Sequence, residues 1–305
     1  MNRRQFLSMA GAFAGCTGSA FAMPRPDNSP SSSFRALVVV DLDGGNDGLN
    51  TVIPIADPLY RALRPSLALT KDRVLTLDAH TALHPSLLPL MRAWHANELA
   101  IVQGVGYAAP NRSHFRSRQI WDTASDADEY RSDDWLVRVS ASDPHALDDA
   151  SLPFVASCDA AARLIATRSA AVVRLTLHGF DTHENQARRH ASLLARLAEG
   201  LALLRARLIA SGDWSRTLVM TRSDFGRSAR ENAAGGTEHG SGAPHFLMGG
   251  NVRGGLFGAP PRLDELDEAG GLSVGIDFRR LYASLPGADA FDPRRRFEPL
   301  PLLRV

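Results

Sequence analysis

Apolar and polar positions along this chain fall into two alternating patterns. Dense apolar runs rich in β-branched residues occur at residues 34–42, 98–106, 170–180 and 216–224, with a shorter one at 245–250. Uninterrupted runs of this length describe strands buried on both faces, as in a parallel sheet. Between them the spacing becomes helical. Residues 84–97 have apolar spacing compatible with a helix, and residues 184–210 carry the strongest stripe, with Leu193, Leu197, Leu201, Leu204 and Leu208 on one side. Strands alternating with helices predict an α/β fold, a three-layer and mostly parallel β-sheet with helices on both faces. Residues 125–150 are acidic and irregular and read as a surface excursion. The Arg- and Pro-rich tail after Pro286 reads as chain lying along the surface. No internal repeat is found.

The N-terminus follows a different rule. Arg3 and Arg4 precede a weakly apolar stretch, and Ala20-Phe21-Ala22 has the form of an A-x-A cleavage signal. Residues 1–22 therefore read as a twin-arginine signal peptide, residues 23–33 as a disordered Pro- and Ser-rich linker, and residues 34–305 as a single domain. The expectation is a periplasmic protein exported folded, which meets the membrane only transiently. Lipid attachment at Cys16, which ends a "FAGC" stretch, is an alternative.

Composition narrows the chemistry. The 305 residues are 44% hydrophobic and 22% charged with net charge +1, so nothing suggests a partner among nucleic acids. There are two cysteines, Cys16 and Cys158, and no C-x-x-C pair. A metal would have to be held by Asp, His, Asn, Ser or Glu.

In open parallel sheets, ligands bind outside the carboxyl ends of the strands, and the polar clusters here fall at those ends. The first run leads into "DLDGGNDGLNT" with Asp43 and Asp47. The second leads into "NRSH", Asn111 to His114, just before a helix. The third leads into "HGFDTHENQ" with Asp181 and His183, and the fourth into "SDFGRSARENAAGGTEHG" with Asp224 and His239. Each cluster alone has a plain structural explanation. "DGGNDG" suits a turn, and Asp181 or Ser113 suits a helix N-cap. Four of them at four strand ends point to more. Asp and His are ligands for hard or borderline dications. A serine beside a dication becomes a nucleophile, and Arg112 suits a tetrahedral oxyanion. "DGGNDG" lacks the G-x-G-x-x-G spacing of a dinucleotide site.

In order and in residues, these stretches resemble the alkaline-phosphatase-like superfamily of phosphatases and sulfatases. More closely, "GGNDGLNTVIP", "VGYAAPNRSHFRSRQIWDT", "GFDTHENQ", "SDFGRSARENAAGGTEHG" and "DFRRLYASL" are similar to an exported bacterial branch, the domain-of-unknown-function family 1501. The resemblance implies an alkaline-phosphatase-like fold holding one or two divalent metal ions. It implies that Asp47, helped by Asp43, is the first-strand metal ligand. Asp181 and His183 would be a ligand pair, Asp224 a ligand of a second metal, and His239 the late histidine ligand. Ser113 would be the nucleophile; Arg112, from its own chemistry, is the second candidate catalytic residue. Where the superfamily has Asp-His, this chain has Asp224-Phe225, which removes one ligand. The expected function is metal-dependent hydrolysis of a phosphate or sulfate ester, on a small molecule or a glycan. The alternative is a non-catalytic periplasmic binding or structural protein that keeps the fold with a vestigial or structural metal site.

Overall fold

Residues 34–140, 143–149, 151–285 and 297–304 are described by a computed structural model of the protein. The expected signal segment with Cys16 and the expected linker lie outside them. The first apolar run forms β1 (Ala36–Asp43). After it come β2 (Val52–Ile53), α1 (Pro58–Leu63), β3 (Leu75–Thr76) and β4 (Ala82–Leu83); the three short strands make a small sheet in the order β2-β4-β3. The chain continues through α2 (Met91–His95), β5 (Leu99–Gly106), α3 (His114–Thr123), α4 (Trp135–Ser140), β6 (His145–Leu147), α5 (Phe154–Ala166), β7 (Val172–His178) and the long α6 (Gln186–Ser211). It ends with β8 (Thr217–Ser223), the hairpin of β9 (Arg227–Glu231) and β10 (Thr237–His239), β11 (Ala243–Met248), β12 (Gly255–Phe257), β13 (Ile276–Asp277) and α7 (Phe278–Ala283).

The central sheet has the order β12-β5-β11-β8-β1-β7-β6, with β13 also on β5. Its pairings are parallel except that β11 runs against both β5 and β8. No helix lies between β8 and β11, and a parallel return needs a crossover of a dozen or more residues, usually helical. The sheet is therefore mostly parallel, with its shorter fifth apolar run reversed.

Both faces of the sheet are covered. Val38, Val40 and Leu42 of β1 pack with Leu197, Leu201 and Leu204 of α6 and with α5. Val39 points the other way, towards Trp121 of α3, Trp135 of α4 and Phe278 of α7. Period-2 alternation thus serves two cores, and that is why the run reads as continuously apolar.

Three local expectations change. Residues 84–97 do not form one α-helix: Pro85 and Pro89 lack amide donors, and the first half is a 3-10 turn over Pro85–Leu90. Residues 125–150 are more than a surface excursion. Trp135 is fully buried and stacks on Tyr282 with ring centroids 3.9 Å apart, and β6 adds an edge strand beside β7. In the tail, Leu302 is fully buried rather than lying on the surface. No helix among the described residues is long and apolar enough to cross a membrane.

Candidate metal centre

β1, β5, β7 and β8 point the same way, so the loops that follow them gather at one edge. α3 brings His114 there. Ser113 is the N-cap, in extended backbone conformation, and its amide donates to Asn111 Oδ1 at 3.0 Å, a local turn that sets the helix start. His114, Ser117 and Trp121 share one helix face, and all three bind one residue. Ser117 Oγ and Trp121 Nε1 donate to the carbonyl of Asp224, while His114 Nδ1 lies 2.7 Å from Asp224 Oδ2. The end of β8 thereby fixes the start of α3.

Asp181 is the hub. Its Oδ1 lies 3.0 Å from His183 Nε2, 3.2 Å from His239 Nε2 and 3.6 Å from His114 Nε2. His183 Nε2 and His239 Nε2 are 3.0 Å apart. The ligand atoms of His114, Asp181 and His239 all lie within 4.8 Å of one another. These side chains are between 23% and 47% exposed, so solvent reaches the cluster. His114 Nε2 itself is buried and has no hydrogen-bond partner among the described residues.

The other ring nitrogens are held from outside. His239 Nδ1 donates to the Arg112 carbonyl at 2.9 Å, and His183 Nδ1 lies 3.0 Å from Glu238 Oε2. Burial disfavours charge on His239 and lowers its pKa, which keeps the ring neutral. Burial pushes the Asp181 carboxyl up, but the Arg227 guanidinium outweighs it and holds the pKa at about 2.

Arg227 builds the floor. Fully buried, it donates to Asp181 Oδ1 at 2.5 Å and to the carbonyls of Gly44, Gly45, Phe180 and Thr237. One guanidinium thus ties together the loops after β1 and β7 and the β9–β10 hairpin. Gly44, at φ +117°, packs on the Asp181 backbone where a Cβ would collide. Phe225 forms one wall: its ring centroid lies 4.8 Å from that of His114 and 4.6 Å from that of His239.

Asp181, His183 and His239 thus come together. Asp224 stands one step behind them, touching the cluster through His114, and Gly44 N donates to it at 3.3 Å. Burial raises the pKa of Asp224. Asp47 lies in a different, fully buried network, with Arg64 Nη1 at 2.6 Å and Gln186 Nε2 on the same oxygen. The turn after β1 carries Asp47 inward, so it serves as counter-ion to Arg64 instead of a donor to this cluster. Asp43 pairs with Arg118 and with His178, at 2.7 and 2.8 Å. Ser113 is exposed and its side chain makes no cap bond. The Arg112 guanidinium is drawn away to Asp267 and Ser241, at 2.8 and 3.0 Å.

Sequence reasoning gave no role to His114, Arg227 or Glu238. For His114 a signal existed: with Ser117 and Trp121 it makes a polar stripe on the inner face of α3. For Arg227 and Glu238 none did, because their partners lie on loops far away in sequence.

Beyond the geometry, a family model matches residues 121–289, more than half of the chain. The protein belongs to that family, Protein of unknown function (DUF1501). The match covers Asp181, His183, Asp224 and His239, while Ser113 and His114 precede it. No curated protein matches the chain. Among solved structures, the crystal structure of Ps i-CgsB in complex with k-i-k-neocarrahexaose is similar at 11% identity, over 87% of this chain and 73% of that one, with a TM-score of 0.30. A likeness that low carries no argument for this DUF1501 protein.

The donor chemistry fits a dication. Imidazole nitrogen and carboxylate oxygen are borderline-to-hard ligands. The buried His114 Nε2 finds no hydrogen-bond partner among the described residues; the Asp181 carboxylate stands 3.6 Å away. Asp224, Glu238 and the Arg112 carbonyl stand where metal-binding imidazoles keep their outer partners.

Proposed function

We propose that this protein is an exported metal-dependent hydrolase of phosphate or sulfate esters, with the alkaline-phosphatase-like arrangement that its motifs resemble. The observation that carries the reading is the convergence of His114, Asp181 and His239 at a solvent-reached point, with His114 Nε2 buried and unpartnered. A bound dication would supply Lewis-acid polarisation of the ester and would neutralise charge on the transferred group. His114, Asp181 and His239 would hold it, with Asp224 fixing the His114 ring. Arg227 keeps Asp181 ionised and in place. Ser113, next to His114 and free of any cap bond, is the nucleophile of this reading. Export rests on Arg3, Arg4 and the 20–22 stretch.

One observation favours the non-catalytic alternative. Arg112, the arginine suited to steady an oxyanion, is committed to Asp267 and Ser241. The test separates the two. Metal content is measured on the wild type and on a variant with both Asp181→Ala and His239→Ala. Aryl phosphate and aryl sulfate esters are then assayed with the loaded wild type and Ser113→Ala. Turnover by the wild type alone supports the hydrolase. Metal bound without turnover of any ester supports the non-catalytic protein.

A further inference from the structure

We propose that the cavity beside the end of β5 is a second binding site, for a neutral small molecule that carries an acetamido group, with Gln103 as the side chain that recognises the amide. The inference is independent of the metal-dependent reading, because no residue lining this cavity belongs to the centre.

The site begins with an irregularity in two strands. β11 pairs Ala243 with Val105 and His245 with Val102, so Gln103 and Gly104 together stand opposite Pro244. Two residues against one make a bulge, which bends the strand and re-aims its side chains. Pro244 has no N–H to give the ladder. Gly104 takes φ +65°, a left-handed conformation that glycine adopts without strain. Val102 and Val105 therefore serve the same core, while Gln103 keeps the face of Leu99 and Ile101. Alternation calls for an apolar residue on that buried face, and the chain has a glutamine there.

Beside the bulge lies a cavity of about 200 Å³. The loop after β1 and the 259–275 segment form its walls. Gly48 lies so close to Pro244, and Gly106 so close to Val274, that a Cβ on either would collide. The interior is apolar, with Leu49, Val52, Pro244, Pro261, Leu272 and Val274 around Gln103. Gln103 is only 6% exposed, and its side-chain amide makes no hydrogen bond among the described residues. The hydroxyl of Ser273, also in the lining, is spent on the Glu265 carbonyl at 2.8 Å. At the rim Arg262 pairs with Asp264 and Glu265, at 2.8 and 2.9 Å.

These features select the ligand. The cavity is smaller than the roughly 300–1,000 Å³ of sites for drug-sized molecules, so it takes a small group and leaves the rest of the molecule outside. Gln103 offers N–H donors and a carbonyl acceptor without charge. A secondary amide answers both, its carbonyl accepting and its N–H donating, while its methyl rests on the prolines and leucines. A phosphate or sulfate group would enter with no free cation to meet it, since the one arginine is committed to two carboxylates. The cavity is thus a place for the neutral amide and not for a charged ester. The 259–275 segment also carries Asp267, which holds Arg112 at 2.8 Å, so one segment both walls the cavity and fixes that arginine.

The experiment uses the full chain, with N-acetylglucosamine and N-acetylalanine methylamide as probes and glucose and acetate as controls. Binding is read by saturation-transfer NMR and by titration, on the wild type, Gln103→Leu and Gln103→Met, with melting temperature as the folding control. In the wild type an acetamide should bind more tightly than either control, and its acetyl methyl protons should be the most strongly saturated. Gln103→Leu and Gln103→Met, which keep the volume and remove the amide, should weaken binding about tenfold. Binding of one probe alone supports the site and tells a sugar source from a peptide source. Failure of both probes to bind overturns the proposal, as does glucose or acetate binding as tightly as the amides. So does an unchanged affinity in the folded Gln103 variants. Saturation strongest away from the acetyl methyl overturns it on the wild type alone, whatever the variants do.

Discussion

His114 Nδ1 lies 2.7 Å from Asp224 Oδ2, and through this contact the end of β8 dictates which nitrogen α3 presents to the cluster. Asp224, expected as a metal ligand, thus touches the cluster through the His114 ring. The distinction has a measurable consequence. Asp224→Ala removes the acceptor and frees the ring to turn, so dication affinity should fall about 10–100-fold, as when an outer partner of a ligand is lost. Asp224→Asn, which retains an acceptor oxygen, should fall less. Competition with a chelator of known affinity reads both. Affinity abolished equally by Ala and Asn would make Asp224 a direct ligand.

Asp47 should separate stability from metal binding. It faces Arg64 at 2.6 Å with both groups buried. Burial raises its pKa, but Arg64 outweighs that and holds the carboxyl below the usual range. Asp47→Ala leaves a buried guanidinium without its counter-ion, a loss of about 3–5 kcal/mol. Urea unfolding should show this loss while the folded variant keeps its metal content. Metal lost with stability unchanged would return Asp47 to the centre.

Acid should unfold the protein partly through His190. Burial disfavours its charged form and lowers its pKa from 6.5 to about 4. The unfolded chain takes up a proton near pH 6.5 that the folded chain does not accept until about pH 4. Stability is therefore whole above pH 6.5 and falls as the pH drops from 6.5 to 4, by roughly 3 kcal/mol for this group. His190→Gln removes the titration. Its stability should vary less with pH across that window, whatever its starting value, in urea melts at several pH values.

The strands were legible because each is buried on both faces, and a strand in that position must be apolar throughout. Val38 and Val39 serve opposite cores yet look alike in sequence. The direction of β11 was not legible, because nothing within its residues records the missing crossover. At the centre, Asp181, His183 and His239 stood out as acid and histidine placed among glycines. His114 was overshadowed by its neighbour Ser113, since a serine before a helix suggests a nucleophile or a cap. Asp47 misled because "DGGNDG" holds two aspartates, and only the path of the turn decides which points outward. Glu238 and Arg227 could not be read at all. Their roles depend on His183 and Asp181, some 55 and 46 positions away.

Phe225 should matter to the metal without touching it. Its buried ring lies against the imidazoles of His114 and His239, and a Cβ on Gly45 would meet that ring. It therefore limits how far either ring can turn. Phe225→Ala leaves a cavity and should cost about 3–5 kcal/mol in the metal-free protein. Phe225→Leu refills much of the volume and should cost less. Zinc that binds only the folded form would stabilise each variant by an amount set by that variant's own affinity. If Phe225 restrains the ligands, the zinc-dependent rise in melting temperature should be smaller in Phe225→Ala than in the wild type and intermediate in Phe225→Leu. An equal rise in all three would mean that Asp224 and the Arg112 carbonyl suffice to aim the two rings, and that Phe225 only fills space.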